Sequence, residues 1–156
     1  MQELGRLEDL PEPNRAHILA LEMVTFDERP WVPGPPLRER RIAVVSTAAL
    51  GLRDDPPFLP GTSEFRAFPS SLPAGDLRMS HVSINYDRAG WQRDLNTIYP
   101  VERLGELARE GAIGSVADTH YALMGSTDPR DMAASADAIA ARMRSEGVNG
   151  VLLCPV

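Results

Sequence analysis

The chain has 156 residues, 43% of them hydrophobic, enough for one globular domain with one core. A formal net charge of −6 argues against a nucleic-acid partner, which would need a basic face, and no apolar run is long enough to cross a bilayer as a helix. All sixteen basic residues are arginine, which excludes Schiff-base and P-loop lysine chemistry, and the lone Cys154 makes no internal disulfide, zinc knuckle or CxxC couple. The N-terminal residues carry no secretory pattern, so a cytoplasmic location is expected.

Eleven of the fourteen prolines precede residue 74, so the N-terminal half should be loop-rich. Asn14 is expected to cap a short helix running through His17–Leu21 to about Val24. The run Pro30-Trp31-Val32-Pro33-Gly34-Pro35-Pro36 forbids regular structure. Arg41-Ile42-Ala43-Val44-Val45-Ser46 then reads as the best strand in the chain, a β-branched apolar run with a charged entry. Residues 46–51 form the loop at its carboxyl end. Residues 53–79 read mostly as loop, with an edge strand at Glu64–Phe68. The alternation of Val82 and Ile84 in His81–Tyr86 predicts a half-buried strand, and residues 87–96 a polar loop.

In the second half, Pro100 precedes a helix over about 102–110, with Leu104, Leu107 and Ala108 inward and Gly111 as its stop. Gly114-Ser115 is expected to open another helix, ending near Met124-Gly125. Asp128-Pro129 is a strong helix start, and Met132, Ala136, Ile139, Ala140 and Met143 recur at helical spacing up to Gly147. Val151–Leu153 reads as a final buried strand. A helix feeding a strand through a tight glycine turn predicts an α/β fold, with a mostly parallel sheet and flanking helices. The expected organisation is a single domain over residues 1–156, with residues 1–40 as an extension.

Several residues qualify for chemistry. Ser46 and Thr47 end a strand, where hydroxyls and amides either hold a carboxylate or simply shape a turn. His120 lies four residues from both Val116 and Met124. On a helix it is either a core histidine with a satisfied hydrogen bond or a pocket base. His81 begins a strand and is either exposed or functional. Asp87, Asp94 and Asn96 are loop residues, solvated or site-lining. Cys154 is either a small buried hydrophobe or a redox thiol. No spacing matches a standard metal motif, so no metal is expected, although a hydrolase built on His81, Asp87 and His120 is a conceivable lowest-ranked reading.

Taken in order, His81, Asp94-Leu95-Asn96-Thr97-Ile98-Tyr99-Pro100, Arg103-Leu104-Gly105-Glu106-Leu107, Glu110–Gly114, His120–Gly125 and Gly147–Val156 resemble the glycine/sarcosine/betaine and D-proline reductase selenoprotein B family, including its shorter members. Ser46-Thr47 fits the same pattern, so the likeness covers roughly residues 41–156. The resemblance implies an oxidoreductase that cleaves an amine-type small substrate reductively, with a thiol redox partner protein as electron donor. It implies His81, His120 and Cys154 as catalytic candidates, and Ser46, Thr47, Asp87 and Asn96 as substrate-binding ones. It also implies a selenocysteine, or a cysteine in its place, after the last strand. The expectation is a UGA-encoded selenocysteine just beyond Val156, no other cofactor, a chain truncated there, and an uncovered apolar strand that favours a homo-oligomer. The alternative is a non-catalytic α/β domain that binds an acidic metabolite or a protein partner.

Overall fold

In the computed structural model, which describes residues 6–22, 25, 32–83 and 88–156, the chain divides into two units, residues 1–31 and 32–156. The first unit holds a 3₁₀ turn, Leu7–Asp9, and the helix α1, Glu12–Ala20, which buries none of its side chains. The helix starts upstream of Asn14, so Asn14 lies inside it and does not cap it. Pro13 sits in the first turn, where its missing N–H is no loss, and the Pro11 carbonyl accepts from Asn14 and Arg15. The expected end at Val24 lies outside the described residues.

The second unit is built on β1, Arg41–Ser46, at the residues the apolar run predicts. Two short strands follow, β2 (Leu50–Leu52) and β3 (Phe65–Pro69), then β4 (Leu77–Met79), which pairs antiparallel with β2. After the helices α2 (Ala89–Arg93) and α3 (Val101–Arg109) come β5 (Ser115–Val116) and β6 (Thr119–Leu123). The helix α4 (Ala133–Ser145) and the strand β7 (Gly150–Cys154) complete the unit. Val45 pairs with Tyr121 of β6 on one side and with Leu153 of β7 on the other, all parallel. β5 pairs with Arg41 and Ile42 on the β6 side, and β3 lies antiparallel beyond β6. The fold is α/β, with a mostly parallel sheet and flanking helices.

Alternation along β1 divides the core. Ile42 and Val44 face Leu104 of α3 with Tyr99 and Ile113, while Ala43 faces Ile139 and Met143 of α4 with Tyr121 and Leu123. Each fully buried large apolar side chain contributes on the order of 2 kcal/mol. The expected stops hold, since Gly111 and Gly147 have φ of 74° and 71°, the left-handed backbone that glycine adopts without a Cβ penalty. Asp128 caps its 3₁₀ entry by accepting from the Arg130 N–H.

Elsewhere the structure corrects the reading. The segment expected as a helix from Gly114 to Gly125 forms β5 and β6. Tyr121 and Leu123 are buried against one layer, His120 and Ala122 against the other, so the strand lacks polar alternation and its fourfold spacing imitates a helix. The expected loop at 87–96 contains α2 and a 3₁₀ turn, Leu95–Thr97, capped by Asp94. His81–Ser83 are not in a strand, and residues 84–87 lie outside the described residues. Leu107 faces outward at 40% exposure, and Ala136 is exposed. β7 forms as expected, but Val151, Leu152 and Leu153 are 48%, 37% and 68% exposed. The layer of α4 rests on Ala43, Tyr121 and Leu123, not on β7.

Candidate functional site at the strand ends

Because β1, β6 and β7 are parallel, their carboxyl ends emerge at one edge, where α/β proteins place ligands. Thr47 ties the three ends together. Its N–H donates to the Cys154 carbonyl at 3.0 Å, and its carbonyl accepts from the Gly125 N–H at 3.0 Å. Its hydroxyl accepts from the Val156 N–H at 2.8 Å and donates to the Val156 carbonyl at 3.3 Å.

His81 completes the group. A Cβ built on Gly125 would lie 2.6 Å from the Val156 carbonyl oxygen, 3.0 Å from Thr47 Oγ1 and 3.1 Å from His81 Nε2. The imidazole is 6% exposed, and its Nδ1 accepts from the Ser83 N–H at 3.1 Å, which leaves the proton of the neutral ring on Nε2. Burial, and secondarily the Arg88 charge, holds its pKa below the ordinary value. Arg88 also donates to the His81 carbonyl at 2.7 Å, which anchors the segment.

The loop beneath this group is tightly held. Ser46 is fully buried, and its hydroxyl accepts from the Ala48 N–H at 3.2 Å. Ala49 has φ of 52°, rare for a residue with a Cβ, and its carbonyl accepts from both the N–H and the hydroxyl of Ser80. Such strain persists where the surroundings over-determine the backbone, as strand-end sites do. Cys154 pairs with Ser46 and is half-buried, and burial pushes its thiol pKa up. At neutral pH the group is a thiol, a weak nucleophile.

The other predicted site residues are placed elsewhere or apart. His120 is fully buried on β6, where Nδ1 accepts from the Val44 N–H at 3.0 Å and the ring meets Tyr99 edge-on at 5.9 Å. Burial lowers its pKa to about 4, against the opposing pull of Glu146 and Asp118. Asn96 links the 3₁₀ turn to α3, donating to Asp94 at 2.8 Å and to Glu102 at 3.1 Å. It also borders a cavity of about 40 Å³ beside Leu95 and Tyr99. None of these contacts reaches Thr47 or His81. Asp87 lies outside the described residues.

Gly125 is the site residue that reading by periodicity misses. The available signal is a glycine directly after an apolar run that also fits a strand, a pattern that marks close backbone approach.

A profile of the family described as glycine/sarcosine/betaine reductase selenoprotein B matches residues 65–155, a span that contains His81, Gly125 and Cys154 but not Thr47. The chain is 29% identical over 127 residues to D-proline reductase subunit gamma of Acetoanaerobium sticklandii, covering 79% of this chain and 52% of that protein. It is 28% identical over 143 residues to glycine reductase complex component B subunit gamma of Carboxydothermus hydrogenoformans, covering 85% of this chain and 32% of that protein. The chain therefore spans about half and about a third of the length of these relatives. No solved structure matches it. With the family profile covering more than half of its length, the chain belongs to the glycine/sarcosine/betaine reductase selenoprotein B family.

Proposed function

We propose that this chain supplies the strand-end pocket of a selenoprotein B-type reductase component. The component cleaves an amine-type small substrate reductively and takes electrons from a thiol partner protein. The redox residue of the proposal is a selenocysteine that directly follows Val156. Family membership supports the reaction class, and the two related proteins carry the names of reductase subunits. The single observation that carries the reading is the double hold of Thr47 on Val156 beside the buried His81.

A selenol supplies a nucleophile that is anionic at neutral pH without a neighbouring base. The chain's own residues do the rest. The Nε2–H of His81 faces the junction as a neutral hydrogen-bond donor, suited to a developing negative charge. The hydroxyls of Ser46 and Thr47 are engaged on main-chain groups, so in this proposal they shape the pocket. His120 supports the sheet from below. Burial holds Cys154 as a thiol, so in this proposal the nucleophile's part falls to the selenocysteine.

The proposal includes a homo-oligomer formed through β7. The Thr47–Cys154 bond sets the phase of that strand, so Gly150, Leu152 and Cys154 turn their main chain to β1, while Val151 and Leu153 turn theirs outward. Among the described residues no strand lies on that outer side, and an apolar edge without charge or proline is a template for pairing.

The deciding experiment reads the native gene through codon 157 and assays the product of the whole frame. The assay follows release of amine or ring opening from glycine, sarcosine, betaine and D-proline with a dithiol donor. An in-frame UGA and dithiol-dependent turnover are expected. A UAA or UAG with no frame beyond it would overturn the reductase reading and leave the binding domain in its place.

A further inference from the structure

We infer that the Thr47 hydroxyl and the bare Cα of Gly125 together set the distance between His81 and the main chain at Val156. On this inference Thr47 is a positioning residue and Gly125 a steric requirement of the site. The inference rests on the reductase reading for its consequence, though not for its geometry.

Gly125 is not among the glycines with positive φ, so its backbone does not demand glycine. The space does. One methyl group there meets atoms from three separate segments, at 2.6 Å, 3.0 Å and 3.1 Å. None of the three is the loose end of a flexible side chain. The Val156 oxygen is main chain, Thr47 is β-branched and held by its own main-chain bonds, and His81 is buried. A Cβ at 125 therefore displaces Val156 or His81, and the junction opens.

Thr47 acts from the other side. A hydroxyl has one proton and two lone pairs, so a single oxygen can hold both main-chain groups of Val156. Valine at 47 keeps the shape and loses both bonds. Serine keeps the bonds and loses only a methyl group. The residue that follows Val156 inherits its direction from this hold, and a misplacement of about 1 Å at a reacting group costs about 100-fold in rate.

The test has two arms that fail separately. In the 156-residue chain, nitrogen-15 spectra report the His81 ring resonances and the exchange rate of the Val156 amide. Thr47→Val should speed that exchange about tenfold or more and shift the His81 ring signals. Thr47→Ser should leave both near the parent values. In the product of the whole frame, Thr47→Val and Gly125→Ala should lower kcat about 10- to 100-fold with KM within about threefold, and Thr47→Ser should recover most of kcat. Parent-like exchange and ring signals in Thr47→Val would overturn the inference, and so would a Thr47→Ser variant as slow as Thr47→Val. If Gly125→Ala does not fold, the two Thr47 variants decide alone. If the parent frame has no reductase activity, the reductase reading fails, and the spectra still decide the geometry.

Discussion

Val44 donates its main-chain N–H to Nδ1 of His120 at 3.0 Å, so a side chain closes the ladder where the neighbouring strand breaks. The break lies between Val116 and Thr119, where the Asp118 carbonyl turns away to accept from the Ser70 N–H at 2.8 Å. A buried N–H without an acceptor is costly, and the imidazole supplies one to Val44, while its own Nε2–H is buried without a hydrogen-bond partner among the described residues. His120→Ala should therefore destabilise the chain by about 3 kcal/mol, combining a cavity with an orphaned donor. Urea denaturation at pH 7.5 checks it, and a loss under about 1 kcal/mol would argue against the ladder role.

The same burial makes stability depend on pH. The folded pKa of His120, about 4, lies below its ordinary value of 6.5, so its contribution is fully present above pH 6.5 and is lost as pH falls through about 4. The lowered pKa of His81 acts in the same direction. The expected loss from His120 is on the order of 3 kcal/mol. Denaturation midpoints from pH 7.5 to 4 should fall, and the fall should be shallower in His120→Gln. Equal slopes in the two proteins would assign the acid loss to other groups.

Cys154 should react slowly. Burial raises its thiol pKa, so little thiolate is present at pH 7.5, and alkylation by iodoacetamide should lag behind a free thiol. The rate should keep rising with pH beyond the range where an ordinary thiol levels off. Fast alkylation at neutral pH would instead reinstate Cys154 as a candidate nucleophile.

Two glycines should respond oppositely to alanine. Gly147 ends α4 with φ of 71°, so Gly147→Ala should cost about 1 kcal/mol. Gly105 lies inside α3 without a positive φ, and a Cβ added there would meet no atom within 4 Å, so Gly105→Ala should stabilise by about 0.5–1 kcal/mol. Thermal melts of the two variants check the signs.

Leu153 is 68% exposed on the free side of the sheet, so Leu153→Lys should change monomer stability by no more than about 0.5 kcal/mol. It should also dissociate the proposed oligomer, because charge on an edge strand opposes pairing. Sedimentation of parent and variant reads this directly. A parent that stays monomeric at high concentration would remove the β7 interface.

Local chemistry in the sequence determined the elements whose signals agree with one another. The β-branched run at 41–46 reads as the strand it forms, the Asp128-Pro129 start and the Gly147 stop bracket α4, and the short apolar run after Gly150 forms the expected strand. The ordered motifs also identified the family. Tertiary structure decided what those signals leave degenerate. Residues 115–124 fit a helix and a doubly buried strand equally well, and only the pairing with β1 and β3 selects the strand. That choice takes His120 off a helix face and into the ladder. It also carries Gly125 to the edge where Thr47, His81 and Val156 meet. Those four residues lie as many as 109 positions apart in the chain, and no periodicity encodes a contact between them. Three parallel strand ends bring Thr47, Gly125 and Val156 together, because parallel pairing gathers distant carboxyl ends at one edge of a sheet, and His81 reaches them from the segment after β4.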